Sequence, residues 1–242
     1  MRTTARMGTI AIAAAMWAAT SGAQLPPEVA ERLEQLVVPE DGDEFFGSYR
    51  MRASSVVAKP DGDQRKATEI EMTVERLPDA PESRHLLRFF ENGVDATAAH
   101  RDEIEGRAHR GREEDDDGGG NLALPVGEQA DSYRFSTPRA VDGHLEVDFQ
   151  PGPTVAEDEA VRGTIAWDGS SSRPLWVELV PVDPPSPVRE LQVRMETAEV
   201  EGRLVVTRMV TSGRVRILLM KRDFTTDVRF TDVSFAVPAT AD

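Results

Sequence analysis

From residue 45 onward the chain keeps a period of two, and that alternation limits its fold more than any other feature. Tyr49, Met51, Ala53, Ser55 and Val57 alternate with Arg50, Arg52 and Ser54, and after an Asp61-Gly62-Asp63 turn Ile70, Met72 and Val74 alternate with Glu69, Glu71, Thr73 and Glu75. Successive side chains on a strand point to opposite faces, so each run reads as a strand with one apolar face and one wet face. His85 to Phe90 follows, closed by Asn92-Gly93, a strong short hairpin signal. Later runs cover Leu145, Val147 and Phe149; Val161 to Trp167, ended by Asp168-Gly169-Ser170; Leu175 to Leu179; Val188 to Thr197; Arg203 to Val210; and Arg214 to Arg222. Phe224, Thr226, Val228 and Phe230 share one parity whereas Val233, Phe235 and Val237 have the other, which predicts a bulge or corner near Thr231-Asp232. About ten strands at hairpin spacing predict a mainly β (α+β) chain built on one large, curved antiparallel sheet.

One helix is expected before the sheet. Pro26-Pro27 suits a first turn, Glu28 and Glu31 favour its positive end, and Pro39 stops the segment. Val29, Leu33, Leu36 and Val37 fall on one face, predicting a helix packed on the sheet. Residues 1–23 read as an export leader. Arg2 and Arg6 precede a mostly apolar run from Gly8 to Ala19, and Ser21-Gly22-Ala23 places small residues before cleavage at Ala23-Gln24. That run is shorter than the roughly 20 apolar residues of a spanning helix, so a soluble periplasmic or secreted protein is expected. Residues 24–242 then form a single domain. Within it, Arg101 to Gly120 is rich in charge and carries Ile104 as its only large apolar residue, which predicts a mobile acidic loop.

Charge and composition exclude several functions. Of the 28 basic residues two lie in the leader, leaving 26 against 43 acids and a charge of −17, a poor match for a phosphate backbone. The chain has no cysteine, which removes disulfides, thiol catalysis and cysteine-ligated zinc. The four histidines (His85, His100, His109, His144) show no helical i,i+4 pair, and His100 and His109 read as solvated loop residues. Asp115-Asp116-Asp117 lacks the alternating ligands of a calcium loop, and Gly118-Gly119-Gly120 lacks the Lys and hydroxyl of a phosphate loop. No Gly-x-Ser-x-Gly elbow occurs, so no enzyme, cofactor or metal is expected; an esterase or glycosidase is the weakest of three readings.

The strands point instead to an apolar concavity. Met51, Ile70, Met72, Val74, Leu145, Val147 and Phe149 are the candidate lining of a hydrophobic ligand cavity, and methionines at 51, 72, 195, 209 and 220 suit an adaptable one. The same residues also suit a plain packed core. Arg214 to Arg222 carries apolar residues on both parities, Val215, Ile217 and Leu219 against Leu218 and Met220, which predicts a strand covered on both sheet faces.

Residues 144–236 carry a resemblance. Arg162-Gly163-Thr164-Ile165-Ala166-Trp167-Asp168, a serine-rich turn and Arg173-Pro174-Leu175-Trp176-Val177-Glu178 resemble a hairpin of exported proteins of the LolA-like superfamily. Val147-Asp148-Phe149-Gln150-Pro151 resembles the strand before it, and Arg216 to Phe224 with Phe230-Thr231-Asp232 resembles the terminal strand pair. The resemblance implies an incomplete antiparallel barrel with helices as a lid over an apolar cavity. It also implies an envelope carrier or sensor that binds a lipid, a lipoprotein acyl chain or another hydrophobic ligand, as a monomer in transient contact with an envelope membrane protein. No functional residue carries over, the acidic loop departs from the pattern, and the absence of cysteine excludes a lipid-anchored form. The alternative is a structural or regulatory interaction module whose barrel is filled by its own side chains.

Overall fold

The computed structural model describes residues 24–39, 45–77, 80–107, 124–157, 160–218 and 220–236. The proposed leader and residues 108–120 of the acidic segment lie outside these. Helix α1 spans Pro27–Glu34 and leads to strands β1 (Gly47–Ala58), β2 (Lys66–Arg76), β3 (Ser83–Glu91) and the short β4 (Val94–Asp95). Helix α2 (Thr97–Arg107) follows, then β5 (Tyr133–Phe135), β6 (Arg139–Val141), β7 (His144–Pro151), β8 (Val161–Trp167) and β9 (Pro174–Pro181). Three long strands, β10 (Val188–Val200), β11 (Arg203–Ile217) and β12 (Met220–Phe235), complete the described chain.

All described strands belong to one antiparallel sheet of order β4-β3-β2-β1-β12-β11-β10-β9-β8-β7-β5, with β6 beside β7. The first and last strands of that order do not meet, so the sheet is an incomplete barrel. The turns are those the sequence announces. Asp61 accepts from the Asp63 amide at 3.0 Å, Asp168 from the Ser170 amide at 2.8 Å, and Asn92 and Gly93 sit at φ 50° and 80° between β3 and β4. The expected bulge is also present. Opposite Ser48 and Arg50 the register of β12 slips between Ser234 and Thr231, and Asp232 takes φ 53°.

Toward the end that carries this bulge, β12 stays with β1 but parts from β11 beyond Arg229, leaving the Leu204–Val206 segment, paired with β10 on one side, without a partner on the other. The chain after α1 fills the gap: the Val37 amide donates to the Leu204 carbonyl and the Val206 amide to the Val37 carbonyl, each at 2.9 Å. The helix therefore ends at Glu34, with Val29 and Leu33 buried, and Val37 is a bridge residue where helical spacing had placed it on the helix face. An open strand edge needs hydrogen bonds more than the helix needs another turn.

Two further expectations are corrected. Residues 101–107, read as acidic loop, belong to α2, and His100, read as solvated, stacks on Phe89 with ring centroids 4.0 Å apart. The helix is held by polar contacts to the outer edge of β3. Glu105 accepts from the Leu86 amide at 2.9 Å and Thr97 from the Phe89 amide at 2.8 Å, which covers an edge that would otherwise invite pairing. The run from Arg214 to Arg222 is no strand covered on two faces: it turns at Leu218, and Ile217, Leu218 and Met220 are exposed. Among the described residues, stretches buried on both parities are Leu204–Val206, beside the Val37 bridge, and Ile165–Trp167 at the end of β8.

Candidate functional site: the concave apolar face

Residues paired directly across an antiparallel sheet share a face, so the register defines the inner surface. One row runs Phe89–Ile70–Ala53–Val228–Met209–Met195–Val177–Ile165–Val147 through nine consecutive strands, β3 to β7 in sheet order. The next row runs Ser55–Thr226–Thr211–Val193–Leu179–Gly163–Phe149–Phe135. A third, nearest the β11–β12 turn, holds Val57, Phe224, Gly213 and Leu191. The inner face is apolar across the sheet except for a band of hydroxyls, where Thr226 donates to Ser55 at 3.2 Å.

The seven sequence-predicted residues all lie on this face and in one apolar cluster, which also takes in Val29 and Leu33 of α1. Met51, Met72, Val74, Val147 and Phe149 are buried in it, while Ile70 and Leu145 are half-buried at its margin. Met195 is buried and Met209 half-buried on the same face, whereas Met220 stands on the exposed turn. Burial is therefore graded. The face is closed beneath α1 and half-open toward the β11–β12 turn, where Val57, Ile70, Met209, Leu191 and Phe224 retain part of their surface. The sequence singled out Ile70 and Met209 and put Val57 and Phe224 on strand faces without marking them, or Leu191, as accessible, because alternation marks the face of a strand and not the depth along it.

The outer face is polar and laced with ion pairs. Arg208 holds Asp227 at 2.8 Å and Glu196 at 3.1 Å, Arg139 holds Glu146 at 2.9 Å and also bridges to Asp148, and Arg50 bridges to Glu71. Hydrogen bonds from Arg139 to Asp148 and from Arg208 to Asp227 hold both carboxyls below the usual aspartate value. Burial raises the pKa of Glu82, but hydrogen bonds from Arg76 and Arg84 outweigh it and leave that group below the usual glutamate value. Hollows of about 540, 730 and 460 Å³ open beside Arg52 and Arg229, between β3 and α2, and beside Gln192 and Ser212, and none is lined by any of the seven predicted residues.

Little on this surface suggests chemistry. Glu146 is the buried charged residue, and its carboxylate is taken by Arg139 and by His144 at 2.9 Å. Among the described residues no group of three or more His, Asp or Glu is placed to hold a metal ion, and no helix is long and apolar enough to cross a membrane.

No family model matches the chain, and no curated protein matches it. Among solved structures it is similar to a LolA superfamily protein from Nitrosomonas europaea, at 9% identity over 89% of this chain and 95% of the other, with a TM-score of 0.37. It is also similar to a provisionally assigned outer membrane lipoprotein-sorting protein domain from Vibrio parahaemolyticus, at 13% identity over 89% and 93%, with a TM-score of 0.36. A DUF1329 family protein from Desulfovibrio piger overlaps at 10% identity over 88% and 92%, with a TM-score of 0.34. At this level of identity no functional residue passes from one chain to another.

Proposed function

We propose that this is an exported, non-enzymatic protein that takes a hydrophobic ligand, a lipid or a lipoprotein acyl chain, against its concave face. The observation that carries the reading is the graded burial of the inner face, apolar on either side of its hydroxyl band. A face meant only as a core would be closed throughout, yet Ile70 and Met209 in one cross-strand row and Val57, Leu191 and Phe224 in another stay half-buried. An acyl chain laid there gains about 0.8 kcal/mol for each CH₂ it buries, and methionine adapts to such a guest without strain. The seven residues named from the sequence form the wall and floor of this surface, with Ile70 at its accessible edge. Delipidated protein titrated with a fluorescent fatty acyl probe should bind saturably, and Met209→Asp should abolish binding; non-saturable uptake by both proteins would end the proposal.

Burial of Met51, Met72, Val74, Val147 and Phe149 favours a second reading, a scaffold or regulatory module with a filled interior. It predicts no probe binding and no effect of Met209→Asp beyond stability, so one titration separates the two.

A further inference from the structure

The geometry points to the β11–β12 hairpin tip as a docking element for an anionic lipid bilayer surface. The sheet stops short of it. Pairing of β12 with β1 ends at Asp223 opposite Ala58, and pairing of β11 with β10 ends at Val215 opposite Val188. Beyond those pairs Arg216 faces Lys221 and Ile217 faces Met220, and the Arg216 amide is tied back to the Pro187 carbonyl at 3.1 Å. Two residue pairs and a turn thus project by about 7–10 Å at strand rise, the depth to which apolar groups enter the boundary between headgroups and acyl chains.

The tip carries the side chains such a boundary requires. Ile217 is 52% exposed, Leu218 86% and Met220 56%, three of the seven large apolar side chains that stand substantially exposed among the described residues. The apex is Leu218 at φ 54°, a left-handed conformation in which a leucine is strained and glycine or asparagine is relaxed. A chain selected for stability alone would place a small polar residue there. Flanking the apolar apex are Arg216, Lys221 and Arg222, with no acid between them, on a protein whose formal charge is −15. Arg222 donates to Gln64 at 3.0 Å, joining the tip to the β1–β2 turn, where Lys59, Arg65 and Lys66 stand against Asp61 and Asp63. That end is therefore cationic and the rest acidic, so an anionic surface attracts the tip and repels the remainder, which orients the molecule tip first.

The absence of cysteine allows a clean test. Leu218→Cys and, as a control, Thr73→Cys, an exposed site of the outer face far from the tip, are each labelled with an environment-sensitive fluorophore in the full chain. Vesicles of mixed phosphatidylglycerol and phosphatidylcholine should shift emission of the Leu218 label to the blue and leave the Thr73 label unchanged, and phosphatidylcholine alone should shift neither. In the unlabelled protein, Arg216→Glu with Lys221→Glu should lower the vesicle-bound fraction by about tenfold or more with an unaltered thermal melt. A Leu218 label that stays in water with both vesicles overturns the inference and leaves a protein partner for the tip. An equal response to both vesicles, or to both labels, overturns the assignment to an anionic surface. None of these outcomes depends on the concave face binding a ligand.

Discussion

Phe149 and Phe224 occupy equivalent settings in different parts of the sheet, each directly across from a glycine. A Cβ on Gly163 would lie 1.8 Å from the Glu178 carbonyl oxygen and 2.9 Å from Phe149 Cζ; on Gly213 it would lie 2.3 Å from the Glu190 carbonyl oxygen and 2.7 Å from Phe224 Cζ. These two glycines let the strands pass close enough for a ring to fill the space of the missing side chain. Because the nearest neighbour of Gly163 is backbone, Gly163→Val should lower stability by about 2–3 kcal/mol, read as a shift of the denaturant midpoint. The carboxylates of the outer face set the acid limit. Asp148, Asp227 and Glu82 have folded pKa values below their unfolded ones, so their contribution is complete above the ordinary carboxylate range near pH 4 and is lost as pH falls through the folded values. Thermal melts should therefore hold steady from about pH 7 to 5 and fall below about pH 4, with a shallower acid slope in Asp227→Asn.

At the level of elements the Val37 bridge is the most exposed to test. Val37→Pro removes the amide that serves the Leu204 carbonyl and should cost about 1–3 kcal/mol, whereas Val37→Thr keeps the bridge and should cost less. Chemical denaturation of the pair measures the difference. This element also shows why the sequence could be read only so far. The longer strands of the sheet and the Thr231-Asp232 bulge followed from alternation, a local signal. The short β4, β5 and β6 have too few residues to alternate, and the run at 214–222 reads as a strand of its own. The bridge depends on an edge left where β12, at the far end of the chain, parts from β11, so helical spacing alone carried Val37 onto α1. Helix α2 escaped notice because it meets β3 through Thr97, His100 and Glu105 and not through an apolar stripe. Apolar residues on both parities at 214–222 are equally consistent with a doubly covered strand and a projecting turn, and Leu218 stands where a glycine or asparagine would have announced the turn.

Across the whole molecule, one apolar face, a polar ion-paired face and one cationic, apolar tip on an acidic body amount to a division of labour. The register places the sequence-named residues together on the inner face, and the helix over them closes one end. What alternation could not convey was depth: the accessible part of the surface lies nearer the tip, at Met209, Leu191 and Phe224, than the buried residues first singled out. The methionines report on that difference directly. In protein labelled at the methionine methyl carbons and titrated with a long-chain acyl ligand below its micelle concentration, the Met209 resonance should shift saturably, with smaller changes at Met51, Met72 and Met195 and none at Met220. Resonances of Met51, Met72, Met195 and Met209 that do not move at any ligand concentration would show that the inner face accepts no guest.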